Sequence, residues 1–498
     1  MVIKKLFSAD LRSLALLRIG VAFIIIIDLI NRSSDLVAHY TDHGAYPISA
    51  FSDYQKHNAW NLSFHTISGD WQIQLFLFLL AGLFALLLLV GYKTTIMTIV
   101  CWLFLLSLQA RNPFIQNAGD TTLRLLLFWG IFLPWGKKIS IDHLLSPILQ
   151  KSNTVTSLGI LGYFLQIAII YLFAAWYKFN SPTWIGGNAV QYSLQLESMA
   201  TYVAHFLRVY PDFLRISNYS VLLFEAIGPI LLFVPLFNGM VKILVVLGFI
   251  FMHISFGLNL DIGVFPLVSM VSVLGFLPPS FWNKVSNVKI KNYWKLFRII
   301  NYLKNLEVSM QLNRKKIIHF PILIIIIRPL FNLSHHLLSI FICVIIFWII
   351  WWNISELAFS DYKMPKNVAD FGFYLRLNQK WNMFSNFQHK DTGWYVIPGL
   401  LSNGKIVDIY KAGGDFNFLE PKLISSTYKN EHWRKYLRSL RKKDFQIYYA
   451  SYLCREWNNT HIKDQKLINL EMILIFRKQP SNDEIIFSKK QIFKHSCA

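Results

Sequence analysis

Charged residues are scarce in this chain: they make up 15% of its 498 residues, where a soluble protein carries about a quarter. That scarcity excludes an ordinary water-soluble globule. Acidic residues are scarcer still, 27 against 49 lysines and arginines, for a net charge of +22. In a soluble protein such a balance points to nucleic acid. Here the basic residues gather in loops between apolar runs and face anionic headgroups, so no nucleic-acid partner is expected. The four cysteines, Cys101, Cys343, Cys454 and Cys497, are scattered and form no CxxC. Neither a disulfide framework nor a zinc site is expected, and no metal ligand set stands out. Cys101 and Cys343 lie in apolar runs and read as packing residues. The opening MVIKKLFSADLR lacks a small-residue cleavage site, so the first apolar run reads as a retained span.

Apolar residues are abundant instead: 54% hydrophobic, 16 tryptophans, 41 phenylalanines and a mean hydropathy of +0.40. The fold class expected is a polytopic α-helical membrane protein of about nine spans with a small C-terminal α+β extramembrane domain. The spans fall at residues 14–30, 71–90, 95–108, 122–134, 158–178, 219–236, 241–258, 262–277 and 337–352. Gly228-Pro229 predicts a kink in the sixth. Lys4, Lys5 and Arg12 before the first span, and Lys137, Lys138 and Lys151 after the fourth, mark the cytoplasmic side. The acidic loop with Asp35, Asp42, Asp53 and Asp70 fits the outer side. The expected location is thus the cell membrane, multi-pass, with the N-terminus cytoplasmic and the tail domain outside.

Residues 1–280 form the membrane domain on this reading. Residues 281–352 combine a basic amphipathic stretch on the cytoplasmic surface, about 283–316, with the last span. Within them, 317–331 is apolar but short and interrupted by Pro321, Arg328 and Pro329, and reads as interfacial or re-entrant. Residues 353–498 form the extramembrane domain. There 393–397 and 405–410 read as strands joined through the Asn403-Gly404 turn, 432–443 as a helix and 469–477 as another strand.

Ionisable groups inside spans are costly and mark functional sites by default. Asp28, Asp120, Arg124, Lys178, Glu225 and His253 all fall near the outer ends of their spans, with Asp261 joining two spans on that side. Only Arg18 lies toward the inner half. The shared depth predicts one polar cluster open to the outside. Plainer roles stand beside that one. Asp120 and Arg124 have the spacing of an ion pair on one helix face. Glu225 could hold helices together through a cation, His253 alone reads as a satisfied core histidine, and Asp28 as a local cap or pair. Lys178, ending the run YLFAAWYKFNSPTW (171–184), could be a snorkelling anchor. Its other role is as a general base, since burial disfavours a charged amine and a neutral amine accepts protons. A neighbouring Glu225 would oppose that shift.

The segment LRIGVAFIIIIDLI…HYTDHGAYP (17–47) resembles the opening of the HTTM family, the membrane domain shared with vitamin K-dependent gamma-carboxylase. Further resemblances follow in the same order: NPFIQNAGDTTLRLLLFWGIFLP (112–134), YKFNSPTW (177–184), FEAIGPILLF (224–233) and MHISFGLNLDIGVFP (252–266). In the tail, QKWNMF (379–384) and GWYVIPGLLSNGKIVDIY (393–410) resemble the C-terminal part of longer bacterial members. The resemblance implies that Lys178 matches the base that deprotonates a reduced quinone, vitamin K hydroquinone, before a glutamate side chain is carboxylated. It implies that His253 matches a histidine at the same distance before IGVFP. The family's catalytic histidine ahead of the fourth span has no counterpart in Asn117-Ala118-Gly119-Asp120. That departure puts full carboxylation in question.

Three functions compete. One is a membrane enzyme acting on a quinone or a secreted peptide, with Lys178, His253 and Glu225 catalytic and Asp28, Asp120 and Arg124 lining the site. The second is a non-catalytic factor for maturation or export of a secreted peptide. The third is a transporter, weakened by the lack of an inverted repeat of interrupted helices.

Overall fold

The computed structural model describes residues 7–145, 152–234, 236–286, 321–357, 361–385, 393–441, 445–478 and 486–497. Long apolar runs become helices because only a helix satisfies its own backbone in lipid. The main helices are α1 (Leu11–Ser33), α2 (Trp71–Val90), α3 (Thr94–Arg111), α4 (Ala118–Gly130), α5 (Leu158–Phe179), α6 (Pro211–Leu231), α7 (Met240–Asn259), α8 (Phe265–Ser272) and α9 (Pro321–Ser355). Among the described residues six helices are long and apolar enough to cross a membrane, or seven if one bent pair counts as a span.

The expected count of nine is not met by that measure, for identifiable reasons. The fourth span, α4, has 13 residues and rises only about 20 Å, short of a bilayer core of about 30 Å. The sixth, α6, carries Asp212, Arg215, Asn218 and Glu225. The eighth, α8, ends in a tight turn at Leu274–Phe276 and bends by 96° into Pro279–Val285. Pro229 stands inside α6 without ending it. The stretch 321–331 runs on into α9 as one helix, while 287–320, with most of the basic amphipathic stretch, lie outside the described residues.

The bundle is built around α5. Its apolar window is 72% buried, against 28% for α2, so α5 is central and α2 peripheral. Gly162 lets Trp129 of α4 lie flat on α5: a Cβ there would come within 2.1 Å of the indole ring. Enclosure explains how a helix as short as α4 is tolerated, since nearly every residue of it is covered by neighbouring helices rather than lipid.

Loop contacts sort into two faces. On one, strand β1 (Ser8–Asp10) pairs with β2 (Thr154–Thr156), Asp142 accepts from the Lys93 and Thr94 backbone, Arg18 donates to the Ile139 carbonyl, and Ser13 to that of Leu277. On the other, the tail domain touches the loops that follow α1, α3, α5 and α7: Tyr436 to Ala45, Glu431 to Asn117, Phe384 to Trp184, Arg434 to Asp261.

The tail holds an antiparallel sheet of β3 (Gly393–Val396), β4 (Pro398–Leu401), β5 (Ile406–Asp408), β6 (Leu467–Lys478) and β7 (Ile486–Ser496). The Asn403-Gly404 turn is present with Gly404 at φ +81°, but it joins β4 to β5. The strand expected over 393–397 is followed at once by β4, and both line the same edge of β6. Helices α10 (Glu431–Ser439) and α11 (Gln446–Thr460) pack against the sheet. Cys454 and Cys497 form a disulfide, against the expectation of scattered unpaired cysteines. Folding α11 beside the end of β7 closes a loop between cysteines 43 positions apart.

Candidate functional site

All six polar residues singled out in the spans are buried in protein rather than turned to lipid. They separate into two groups and one outlier. The first group centres on Arg32. Its guanidinium donates to Asp28 one turn earlier at 2.7 Å, to Asp120 at 2.5 Å and to the Tyr40 hydroxyl at 3.0 Å. Asp120 is held by a reciprocal cap: its carboxylate accepts from the Asn117 backbone, and its own N–H donates to the Asn117 side chain. Asp120 therefore pairs across helices, in place of the expected ion pair with Arg124.

The tail domain completes this group. Asn117 donates to Glu431 at 2.7 Å, which brings the first turn of α10 onto the start of α4. His432 follows Glu431 and is also buried. The His39 ring packs on Trp433 with centroids 4.5 Å apart, and neither of its nitrogens meets a hydrogen-bond partner. Burial, reinforced by nearby cations, holds both imidazoles down to about 3. Burial likewise raises the Glu431 carboxyl. Asp35 anchors the same docking surface. Burial pushes its carboxyl up, but hydrogen bonds from Lys429, Trp433 and Asn430 outweigh it and lower the pKa.

The second group centres on Lys178, at the last turn of α5. Its ammonium donates to Glu225 of α6 and lies 5.2 Å from the centroid of the Trp184 ring. Beside it, Tyr171 and His253 are joined at 2.9 Å between the hydroxyl and Nε2, leaving His253 Nδ1 without a partner. Phe249, Phe256 and Phe265 pack around these two rings. The start of α8 divides the two groups. Phe265 faces His253 with centroids 5.6 Å apart, while Gly119 of α4 packs closely on its backbone.

Arg124 is the outlier. One turn below Asp120, it pairs with neither group's carboxylates and donates to the Asn378 carbonyl at 2.8 Å and to Gln109 at 3.4 Å. Asp261 takes part through its carbonyl, which accepts from Arg434. Among the described residues no group of three or more His, Cys, Asp or Glu side chains is placed to hold a metal ion.

A comparison with protein-family models matches the HTTM domain over residues 8–282, more than half of the chain. The chain belongs to the HTTM family. It is thus a membrane protein related to the gamma-carboxylase family. No curated protein and no solved structure matches it. In this HTTM protein both polar groups lie inside the matched region, whereas Glu431, His432 and Phe384 reach them from beyond it.

Sequence reasoning missed Arg32, Tyr171, Trp184, His39 and the residues of α10. Arg32 was legible, since it stands four residues after Asp28 and so on the same helix face. Tyr171 was legible too, two turns before Lys178 on one face. Nothing in the chain announced His432, which meets Arg32 and Asp120 only through folding.

Proposed function

We propose that this HTTM protein is a membrane enzyme of carboxylase-like ancestry, acting on a reduced quinone or a secreted peptide, with Lys178 as general base. The observation that carries the reading is the buried Lys178–Glu225 pair beside the Tyr171–His253 hydrogen bond. Taking two charges out of water is costly, and their attraction offsets that cost only with good geometry. Transfer of the Lys178 proton to Glu225 leaves a neutral amine next to a neutral acid. That amine then accepts a proton from a substrate hydroxyl or carbon acid and returns to the ammonium. With Nε2 accepting from Tyr171, His253 carries its hydrogen on Nδ1, the atom left without a partner, and there it serves as donor to a substrate oxygen. The aromatic wall of Trp184, Phe256 and Phe265 with one free donor fits a flat ring bearing oxygen. A reduced quinone bound there supplies an acidic ring hydroxyl. Lys178 would take its proton, Glu225 would hold the displaced one, and His253 would orient the oxygen.

The same reading puts the N-terminus in the cytoplasm and the tail domain outside. Lys93, Lys137 and Lys138 lie on the face of β1, and the Cys454–Cys497 disulfide belongs to an oxidising compartment. It also lets α4, α6 and α8 cross with the other helices, since the chain passes from Asn117 at the tail through α4 to Gly136, which packs on Thr94 on the opposite face.

The test is Lys178→Arg together with Lys178→Ala, read by bound quinones in the purified protein and by quinol oxidation with dioxygen supplied as the oxidant. Guanidinium stays protonated and cannot act as base. Both variants should keep expression and bound quinone while losing at least about a hundredfold in turnover, the usual contribution of a general base. Full turnover in Lys178→Arg would leave the lysine as an anchor and remove the mechanism.

A further inference from the structure

The segment 376–385 follows a short helix, Lys366–Tyr374, that comes after α9, and runs through the end of the bundle as a strap. Arg376, Leu377, Gln379, Trp381 and Ser385 are buried along it. Its main-chain carbonyls are gripped by side chains from separate helices: Asn378 by Arg124 of α4, Gln379 by Trp352 of α9 at 2.7 Å. The Gln379 side chain accepts from Gln166 of α5 at 2.7 Å and from Trp381 at 2.8 Å. Arg376 and Phe384, at either end, hold left-handed backbone conformations at φ +56° and +55°. Non-glycine residues adopt those angles only where surrounding contacts demand it.

At the Phe384 end the strap reaches the second polar group. The Phe384 carbonyl accepts from Trp184 Nε1 at 2.6 Å. The indole has a single donor, so this contact holds its N–H edge, while Ala189 and Leu222 pack against the ring. The backbone of Trp184 is held independently: its carbonyl accepts from Asn218 of α6, the helix that carries Glu225. The face of the same ring covers the Lys178 ammonium. A cation over an indole face is drawn toward the ring centre, which orients the end of its flexible stem.

We propose that Trp184 is a positioning residue for Lys178 and that the strap sets its pose, so that the tail side of the protein governs how the amine is presented. Glu225 and the ring face fix Lys178 Nζ from two directions. Loosening the strap lets the ring turn and frees one of them. A ligand that engages the strap from the tail domain would act on Lys178 without touching it. Lys178 counts as the reacting amine only on the reading above, but its chemical labelling needs no turnover, so the two fail separately.

The experiment uses the full chain in lipid nanodiscs and a small acylating reagent, with Lys178 modification measured by mass spectrometry against exposed Lys56. Hydrogen exchange over 376–385 is followed in parallel. Trp184→Phe keeps an aromatic face and loses the N–H. Trp352→Phe removes the grip on Gln379 and does not touch Lys178. Each should raise Lys178 labelling about fivefold, the factor that one lost hydrogen bond supplies, with Lys56 unchanged. Trp352→Phe should also speed exchange of the strap. A rise in Trp184→Phe alone, or flat labelling in both, overturns control by the strap. Should Trp184→Phe fail to fold, Trp352→Phe decides by itself.

Discussion

Arg32 is the residue with the most at stake in the first polar group. It is fully buried and bridges two carboxylates from different helices, Asp28 and Asp120, with Tyr40 satisfying a third direction. Removing it leaves two buried carboxylates without a cation, while removing one carboxylate leaves the arginine still paired. Breaking a buried pair costs about 3–5 kcal/mol because the stranded charge has been taken out of water. Arg32→Met should therefore destabilise the protein by about that amount, and Asp120→Asn by clearly less. Thermal unfolding in detergent compares the two. Equal losses would mean that Asp120 matters through its cap on Asn117 rather than through Arg32. Lys178 differs in kind. It pairs with a single carboxylate, Glu225, where Arg32 bridges two.

Among elements, α10 ties the tail to the helix bundle. Its N-cap Asn430 accepts from Trp433 and also donates to Asp35, so the helix start and the docking contact are one structure. Tyr436 donates to the Ala45 carbonyl at 2.5 Å. Two buried neutral histidines, His39 and His432, lie at this junction, facing Arg32, Asp35, Asp120, Lys429 and Trp433. Their folded pKa values near 3 lie below the unfolded value of about 6.5, so the unfolded state binds more protons between those limits. The stability they contribute is complete above about pH 6.5 and is lost as pH falls toward 3. At pH 5 the docking of α10 should weaken by on the order of 2 kcal/mol per histidine. Hydrogen exchange over 431–439 at pH 7.5 and pH 5, corrected for intrinsic rates, measures it. His39→Phe should remove about half of the dependence, leaving the part due to His432. An interface equally protected at both values would mean that the imidazoles gain partners on protonation.

For the whole molecule, two features constrain the arrangement: the sorting of loops into two faces and the disulfide in the tail. Cys454 and Cys497 lie 43 positions apart and enclose β6 and β7. Closing a loop of that length restricts the unfolded chain by about 4 kcal/mol. Cys454→Ser should lower the stability of the tail by up to that amount, and reductant should do the same to the wild type but not to the variant. Reporter fusions ending at Lys138 and at Phe384 should report opposite sides of the membrane. Equal signals would break the two-face arrangement of inside and outside.

The sequence by itself determined that this is a membrane protein and where most of its helices lie. Apolar length is a local property, and a bilayer reads it locally: among the described residues six helices meet the requirement without help from neighbours. Burial in protein was not local. Trp129 needs Gly162 beneath it before α4 can lie enclosed, and α6 keeps Glu225 inside only because Lys178 of α5 meets it. The depth of the polar residues was legible because a helix rises by a fixed amount per residue. Their partition into two groups was not, since it depends on which way each helix faces and on Phe265 arriving between them. The tail's part was the least legible. Glu431, His432 and Phe384 reach the polar groups across the fold, and contacts between distant segments leave no periodicity in the chain to mark them. The disulfide was hidden for the same reason: two cysteines with no motif become neighbours only once α11 and β7 pack together.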